Sequence, residues 1–158
     1  MELHDQATPA VIVAVIVRSL LNPGSRQALD LPVVFRQLDA QTGDLGQGVF
    51  DAAFSRFGVM FFNDSVGAFA NIRVSLKPGG RLAFVCWRAL AENPWMQAPL
   101  QAALPLLPPV APPDPAAPGP FAFADASRVR SILSQADFVS VTISPFDTLI
   151  GVEEVEQA

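Results

Sequence analysis

The stretch from Val49 to Arg88 constrains the fold most, because it holds two apolar runs separated by a helical pattern. The first run, Phe50–Phe54, is short and almost entirely apolar, which predicts a strand entering a buried sheet. The second run, Arg81–Trp87, is apolar without alternation, so we expect a strand with both faces covered. A strand, a helix and a second strand in this order predict a right-handed βαβ unit with parallel strands.

Residues at both ends delimit the helix between these strands. Asn63 and Asp64 are candidate caps, because either side chain can accept a hydrogen bond from the first free N–H groups of a helix. The apolar residues then recur every three or four positions, which places them on one helical face: Val66, Phe69, Ile72 and Leu76. Pro78 cannot continue a helix, and the two glycines after it allow a sharp turn into the second strand.

Length and composition exclude several classes of protein. A chain of 158 residues has room for one domain with a real core. Its net charge of −5 argues against a nucleic-acid partner, because a phosphate backbone attracts basic surfaces. The single cysteine, Cys86, excludes an intrachain disulfide, and no Cys/His cluster indicates a metal site. No apolar run reaches the roughly 20 residues of a membrane span. A signal peptide is a weak alternative, because Glu2 and Asp5 stand where positive charge is expected, so we expect a cytoplasmic protein.

The amino-terminal third gives weaker signals. Ala10–Val17 is a dense run of β-branched residues, which predicts either a buried strand or an aggregation-prone segment. Val33–Asp39 predicts a strand that ends in an acid. The glycines of Gln41–Gly48 invite comparison with a phosphate-binding loop, but such a loop follows a strand and opens a helix. Because these glycines lead into another strand, we interpret the segment as a flexible connection.

After the second apolar strand we expect a helix from Pro94, a helix over Ala124–Ala136 capped by Asp125, and a strand over Phe138–Ile143. Between the two helices, Pro105–Pro120 contains eight prolines in sixteen residues. We interpret this segment as a semi-rigid, polyproline-like loop or lid flap, with a role as an SH3-type ligand as the alternative.

Three motifs, taken in order, resemble a known family: Phe50 to Gly58 (FDAAFSRFG), Phe61-Phe62 followed by Asp64, and Leu76 to Leu82 (LKPGGRL). Together they resemble the second half of a class I S-adenosylmethionine-dependent methyltransferase. The branch is that of methyltransferase type 11, which includes the enzymes of ubiquinone and menaquinone biosynthesis. The resemblance covers about Val33 to Val152.

The resemblance implies an α/β fold: a partial Rossmann-like sheet of mostly parallel strands with flanking helices. It also implies that the first βαβ unit and the last strand are lacking, so that the chain is truncated relative to the family. We therefore expect residues 1–30 to be a divergent segment. Residues 31–158 are expected to form a partial methyltransferase domain, with a Pro-rich insertion at 105–120.

The resemblance further implies S-adenosylmethionine as cofactor and a small molecule as methyl acceptor. Asp39 matches the acid that contacts adenine, and Ala40 lies beside it. Ser55, Arg56 and Phe57 match positions near the methionine part of the donor. No catalytic residue is assigned, because the donor carries its own activation and the enzyme mainly orients and desolvates the reactants.

Each of these residues also has a purely structural interpretation. Asp39 can be a solvated acid at the end of a strand, and Arg56 can form a surface salt bridge. Phe57, Phe61 and Phe62 can serve packing, as apolar clusters usually do.

Two functions of different classes remain open. The chain is a methyltransferase, or a fragment of one, acting on an unidentified small molecule. Alternatively it is a non-catalytic remnant or interaction module that keeps half of the fold, and an NAD-dependent oxidoreductase is a weaker third reading. No E/D-x-G-x-G-x-G loop precedes Val33, so we expect weak donor binding. We also expect self-association through an uncovered sheet edge.

Overall fold

A computed structural model of the protein describes residues 12–13, 36–108 and 114–148. Its strands are β1 (Ile12–Val13), β2 (Gln37–Leu38), β3 (Phe50–Arg56) and β4 (Leu76–Val85). Its helices are α1 (Ser65–Ser75), α2 (Pro94–Ala103) and α3 (Ala126–Gln135). Short 3-10 helices lie at Val59–Phe61, Leu90–Glu92 and Leu104–Leu106.

The βαβ unit is confirmed, because β3 and β4 pair in parallel on either side of α1. The pairing is regular from Ala52 opposite Arg81 to Arg56 opposite Val85. Before it, the register shifts, so that residues 77–80 bulge out of β4. Gly79 has a φ of +77° in this bulge, which a residue with a side chain rarely adopts. The predicted turn therefore lies inside the strand.

Helix α1 begins where its sequence predicts. The Asp64 side chain caps it by accepting a hydrogen bond of 2.9 Å from the Gly67 N–H. Phe69 is completely buried at the centre of the core. Its ring lies within 6.4 Å, centroid to centroid, of four other phenylalanines: Phe62, Phe84, Phe123 and Phe138. The apolar face of α3 packs into the same core through three buried residues: Val129, Ile132 and Leu133.

Only one face of the β3–β4 sheet is covered, and the expectation that Arg81–Trp87 is covered on both faces is wrong. Leu82 and Phe84 point to the core, whereas Val85 is 37 % exposed and Phe54 on β3 is 67 % exposed. The reason is that α1 and α3 contact each other in one shared core. No described element buries the opposite face.

Two other strand predictions need correction. Of Val33–Leu38, only Gln37–Leu38 is a strand within the described residues, and it pairs antiparallel with β1 rather than joining β3. Phe138–Ile143 forms no ladder. Its backbone is tied to α3 instead, because the Arg130 guanidinium donates a 2.9 Å hydrogen bond to the Val141 carbonyl. Most of Ala10–Val17 lies outside the described residues.

The Pro-rich segment is described over residues 105–108 and 114–120. Its second part packs on the body of the domain, because the Gly119 N–H donates to the Met60 carbonyl over 3.0 Å. The division of the chain at residue 30 stays a prediction. In the described part of the chain, no helix has the length and apolar character needed to cross a membrane.

Candidate functional site

Asp39 and Ala40 lie in a tight turn directly after β2. The exposed Asp39 carboxylate accepts hydrogen bonds from the Gln41 N–H at 2.8 Å and the Thr42 hydroxyl at 3.1 Å. Gly43 closes the turn, and a Cβ at this position would lie 2.6 Å from the Asp39 carbonyl oxygen. The close approach of the two backbone segments therefore requires glycine. Ala40 is buried in the core, so only Asp39 of this pair presents its side chain to solvent.

This turn is held against α1. The Asn71 side-chain amide donates to the carbonyls of Ala40 and Gly43, both at 2.9 Å. At the first residues of the helix, the Asp64 N–H donates to the Gln41 side chain over 3.0 Å. Three hydrogen bonds thus fix the segment after β2 on the helix that follows β3, although no ladder joins β2 to β3.

Ser55, Arg56 and Phe57 complete β3 and the residue after it. Ser55 is half-buried and Arg56 is exposed. Phe57 has a φ of +56°, in the left-handed region that bulky residues rarely occupy. Its N–H donates to the Val85 carbonyl over 2.9 Å, and its ring stacks on that of Trp87 with centroids 4.2 Å apart and planes 9° apart. A strained backbone and a parallel aromatic pair therefore mark the carboxyl ends of β3 and β4.

The two groups of predicted residues are both close, in the chain or by hydrogen bonds, to the first residues of α1. Phe57 is followed by the 3-10 helix Val59–Phe61 and then by Asp64, which caps α1 and binds Gln41 of the turn after β2. No hydrogen bond joins Asp39 or Ala40 directly to the residues 55–57 in the described part of the chain. The two groups are thus connected through the first residues of α1.

The structure bears on the packing and salt-bridge roles that the sequence left open for these residues. Phe62 is core, because it is buried and meets Phe69 edge to face. Phe61 is exposed. Arg56 makes no salt bridge with any residue that the structure describes, and its guanidinium carbon lies 5.7 Å from the centre of the Phe57 ring. Among the described residues, no salt bridge therefore accounts for the position of Arg56.

Cys86 does not belong to the site. Its thiol faces the core, 3.8 Å from the Phe123 carbonyl oxygen. Burial raises the pKa of the Cys86 thiol above its ordinary value. This position is that of an inert packing residue. Among the described residues, no group of three or more His, Cys, Asp or Glu is placed to hold a metal ion.

Sequence reasoning missed two residues of this candidate site. The Asn71 side chain anchors the turn after β2. In the sequence it could have been noticed as a polar residue in an otherwise largely apolar helix. Trp87 was assigned to the end of a strand, whereas it lies past β4 and stacks on Phe57. The sequence feature that could have indicated Trp87 is its position as the first aromatic residue after the strand.

The parallel β3–α1–β4 unit is the building block of open α/β sheets, a class that binds ligands at the carboxyl ends of its strands. Residues 10–84 match the model of a methyltransferase domain family, so this part of the chain is similar to that family. The match confirms the resemblance to a class I S-adenosylmethionine-dependent methyltransferase. It includes Asp39 and Ser55–Phe57 and begins at residue 10, inside the segment set apart as divergent. The specific branch and the truncation stay predictions.

Neither the curated proteins nor the solved structures contain a significant match to this chain.

Proposed function

We propose that the chain binds S-adenosylmethionine along the edge formed by the turn after β2 and the end of β3, and transfers its methyl group to a small molecule. One observation carries the proposal: Asp39 follows β2 and Ser55–Phe57 end β3, both inside the range matched by the methyltransferase family, and the start of α1 connects the two segments. A ligand bound at this edge would span both segments.

The residues at this edge fit the chemistry of the donor. An ionised carboxylate offers about four acceptor positions, and Asp39 uses two of them within its own turn. The remaining capacity can accept a hydrogen bond from the adenine amino group. The exposed guanidinium of Arg56 is at the other segment and can attract the carboxylate of the methionine part.

The donor, when bound, supplies a methyl group already activated by its positive sulfur. The work left to the chain is to align the acceptor atom with the methyl carbon and to exclude water. The turn at Asp39 and the backbone at Phe57 serve this alignment. The turn cannot shift without losing the bond from the Asn71 side chain to the Ala40 carbonyl, and Phe57 cannot shift without losing its backbone bond to Val85.

Titration calorimetry of the purified chain with S-adenosylmethionine and S-adenosylhomocysteine tests this function. The family's glycine loop is absent before Val33, and two or three lost hydrogen bonds cost ~3–6 kcal/mol. A micromolar site would then become roughly millimolar. We expect weak but saturable binding of both ligands. A ligand-observed NMR experiment with no contact between protein and either ligand at millimolar concentration would refute the proposal.

The second candidate is an interaction module, and one observation favours it. The outer face of the β3–β4 sheet carries Phe54 and Val85, both exposed large apolar side chains. Neither strand has a second ladder partner among the described residues. Exposed apolar sheet surfaces with unpaired edges promote association, so self-association of the chain is part of this candidate.

A further inference from the structure

The outer face of the β3–β4 sheet has an apolar centre between two arginines. Side chains along a strand alternate between its two faces, and the exposed residues in the regular part of β3 and β4 share the outer face. The parallel register sets them in three pairs: Ala52 with Arg81, Phe54 with Ala83, and Arg56 with Val85. One arginine therefore stands at each end of this face, on opposite strands, with Phe54 between them.

The positive charge of the outer face is not neutralised within the described part of the chain. Neither Arg56 nor Arg81 forms a salt bridge there, whereas Lys77 in the bulge of β4 is paired with Asp51. Two copies that met outer face to outer face would bring arginines against arginines, and like charges in contact disfavour an interface. This apolar surface therefore fits a partner that carries negative charge.

Residues 149–158 of the same chain have a complementary composition. Their sequence, LIGVEEVEQA, contains three glutamates and no basic residue. In an extended segment, positions two apart share a face, so that one face would carry two apolar side chains followed by two carboxylates: Ile150, Val152, Glu154 and Glu156. Such a face matches an apolar centre that has an arginine beside it.

The described chain brings this segment to the rim of the outer face. The Arg88 guanidinium holds Asp147, two residues before the segment begins, through a salt bridge. Arg88 lies three residues beyond Val85, the last residue of β4. The segment therefore starts near the carboxyl end of the strand that carries Arg81. Its ten residues can reach at most ~33–36 Å, which is enough to cross onto the outer face of an adjacent copy.

We propose that the outer face of the β3–β4 sheet binds residues 149–158 of a second copy of the chain, and that two copies exchange these segments reciprocally. The inference rests on the self-association candidate of the proposed function and names the contact that produces it. Apolar side chains of the segment cover Phe54 and Val85, and its glutamates pair with Arg81. Because the same two surfaces meet twice about a two-fold axis, the exchange closes as a dimer and does not grow into a filament.

Charge reversal in the full chain tests this pairing, with the dimer followed by sedimentation velocity. Arg81 lies outside the candidate donor site, and Arg81→Glu should raise the dissociation constant of the dimer roughly tenfold or more, because like charges then meet. Replacing Glu153, Glu154 and Glu156 together by lysine should do the same. Arg81→Gln removes the charge alone and should have a smaller effect in the same direction. Arg36→Glu is the matched control, because this exposed arginine lies outside the β3–β4 sheet, and it should leave the dimer unchanged.

Mixing the two charge-reversed variants shows whether the contact joins different copies. Each variant alone opposes like charges, but in an equimolar mixture every outer face meets a segment of opposite charge. We therefore expect association to return in the mixture, and also in a single chain that carries both changes. Reversed variants that stay monomeric when mixed would overturn the exchange between copies.

The failure of this inference is distinguishable from the failure of the self-association candidate. A chain that associates equally well after its glutamates are replaced by lysine would keep self-association and overturn the role of residues 149–158. A chain that is monomeric at every concentration would refute both. Salt gives an independent measurement: at about 1 M, where the screening length is ~3 Å, the dimer should weaken. Association that is unaffected by this salt would overturn the pairing of glutamates with Arg81.

Discussion

Asn71 donates its side-chain amide to the carbonyl of Ala40 at 2.9 Å, across thirty-one residues of sequence. The same amide nitrogen reaches the Gly43 carbonyl. This contact, rather than strand pairing, connects the turn after β2 to the β3–α1–β4 unit, because β2 and β3 belong to different sheets. Two of the three hydrogen bonds that hold this turn on α1 therefore come from one side chain.

Replacing Asn71 by leucine should detach that turn. Both carbonyls would lose their partner, and a partly buried group left without a hydrogen bond costs ~1–3 kcal/mol. We expect a comparable drop in the free energy of unfolding, measured by urea denaturation, and weaker binding of S-adenosylhomocysteine. Gln135→Leu is the control, because its amide bonds only to Ser131 of its own helix and is exposed. Equal effects of the two variants would contradict the anchoring role.

Asp39→Ala should lower donor affinity about tenfold, because one charge-assisted hydrogen bond to the donor is lost. The measurement is calorimetric titration with S-adenosylhomocysteine. Asp44→Ala is the matched control, because the Asp44 carboxylate makes the same kind of local bond, to the Gly46 N–H at 2.8 Å. Both aspartates are exposed, so both variants should keep the fold. Unchanged affinity in Asp39→Ala would show that the donor does not bind at the turn after β2.

The free energies of unfolding of two variants distinguish the two candidate caps of α1. Asp64→Ala should lower the free energy of unfolding by about 1 kcal/mol, the usual contribution of a cap, because it removes the bond to the Gly67 N–H. Asn63→Ala, at the neighbouring exposed position, should have little effect. Thermal and urea denaturation measure both, and a larger loss in Asn63→Ala would contradict the assignment of the cap.

The pKa of the Cys86 thiol gives a pH-dependent prediction. Because burial raises it above the ordinary 9.0, the folded chain keeps the thiol proton to a higher pH than the unfolded chain. The associated stability is fully present below the ordinary pKa and is lost as the pH rises through the raised value. Urea denaturation over a pH series measures this loss, which should be smaller in Cys86→Ala.

Alkylation offers a second readout of the same group. Since the thiolate is the reactive form, iodoacetamide should modify the folded chain more slowly than the urea-unfolded chain. Equal rates at neutral pH would contradict the burial of Cys86.

Because the outer face of the β3–β4 sheet is exposed and apolar, we expect self-association that one introduced charge disrupts. Phe54→Glu should shift the chain toward monomer in sedimentation velocity experiments, because it places a charge in the exposed apolar surface of β3. Phe146→Glu is the control, because this residue is also exposed but lies outside the sheet. If both variants, or neither, alter the sedimentation profile, the sheet face is not the contact.

The sequence alone was sufficient for elements specified by local signals. The periodic apolar face of α3, the proline that begins α2 and the strand–helix–strand order around α1 all agree with the structure. Caps, prolines and helical periodicity act within a few residues, so they can be recognised without knowledge of the fold. The same locality explains why the motifs of the methyltransferase family were recognisable.

Tertiary structure decided what depends on distant partners. The apolar run of β4 could not indicate that only one face would be covered, because coverage depends on where α1 and α3 pack. Phe138–Ile143 has the pattern of a strand but pairs with no strand that the structure describes, and a ladder needs two. Likewise, Asn71 and Trp87 acquire their roles only when Ala40 and Phe57 are brought to them by the folded chain.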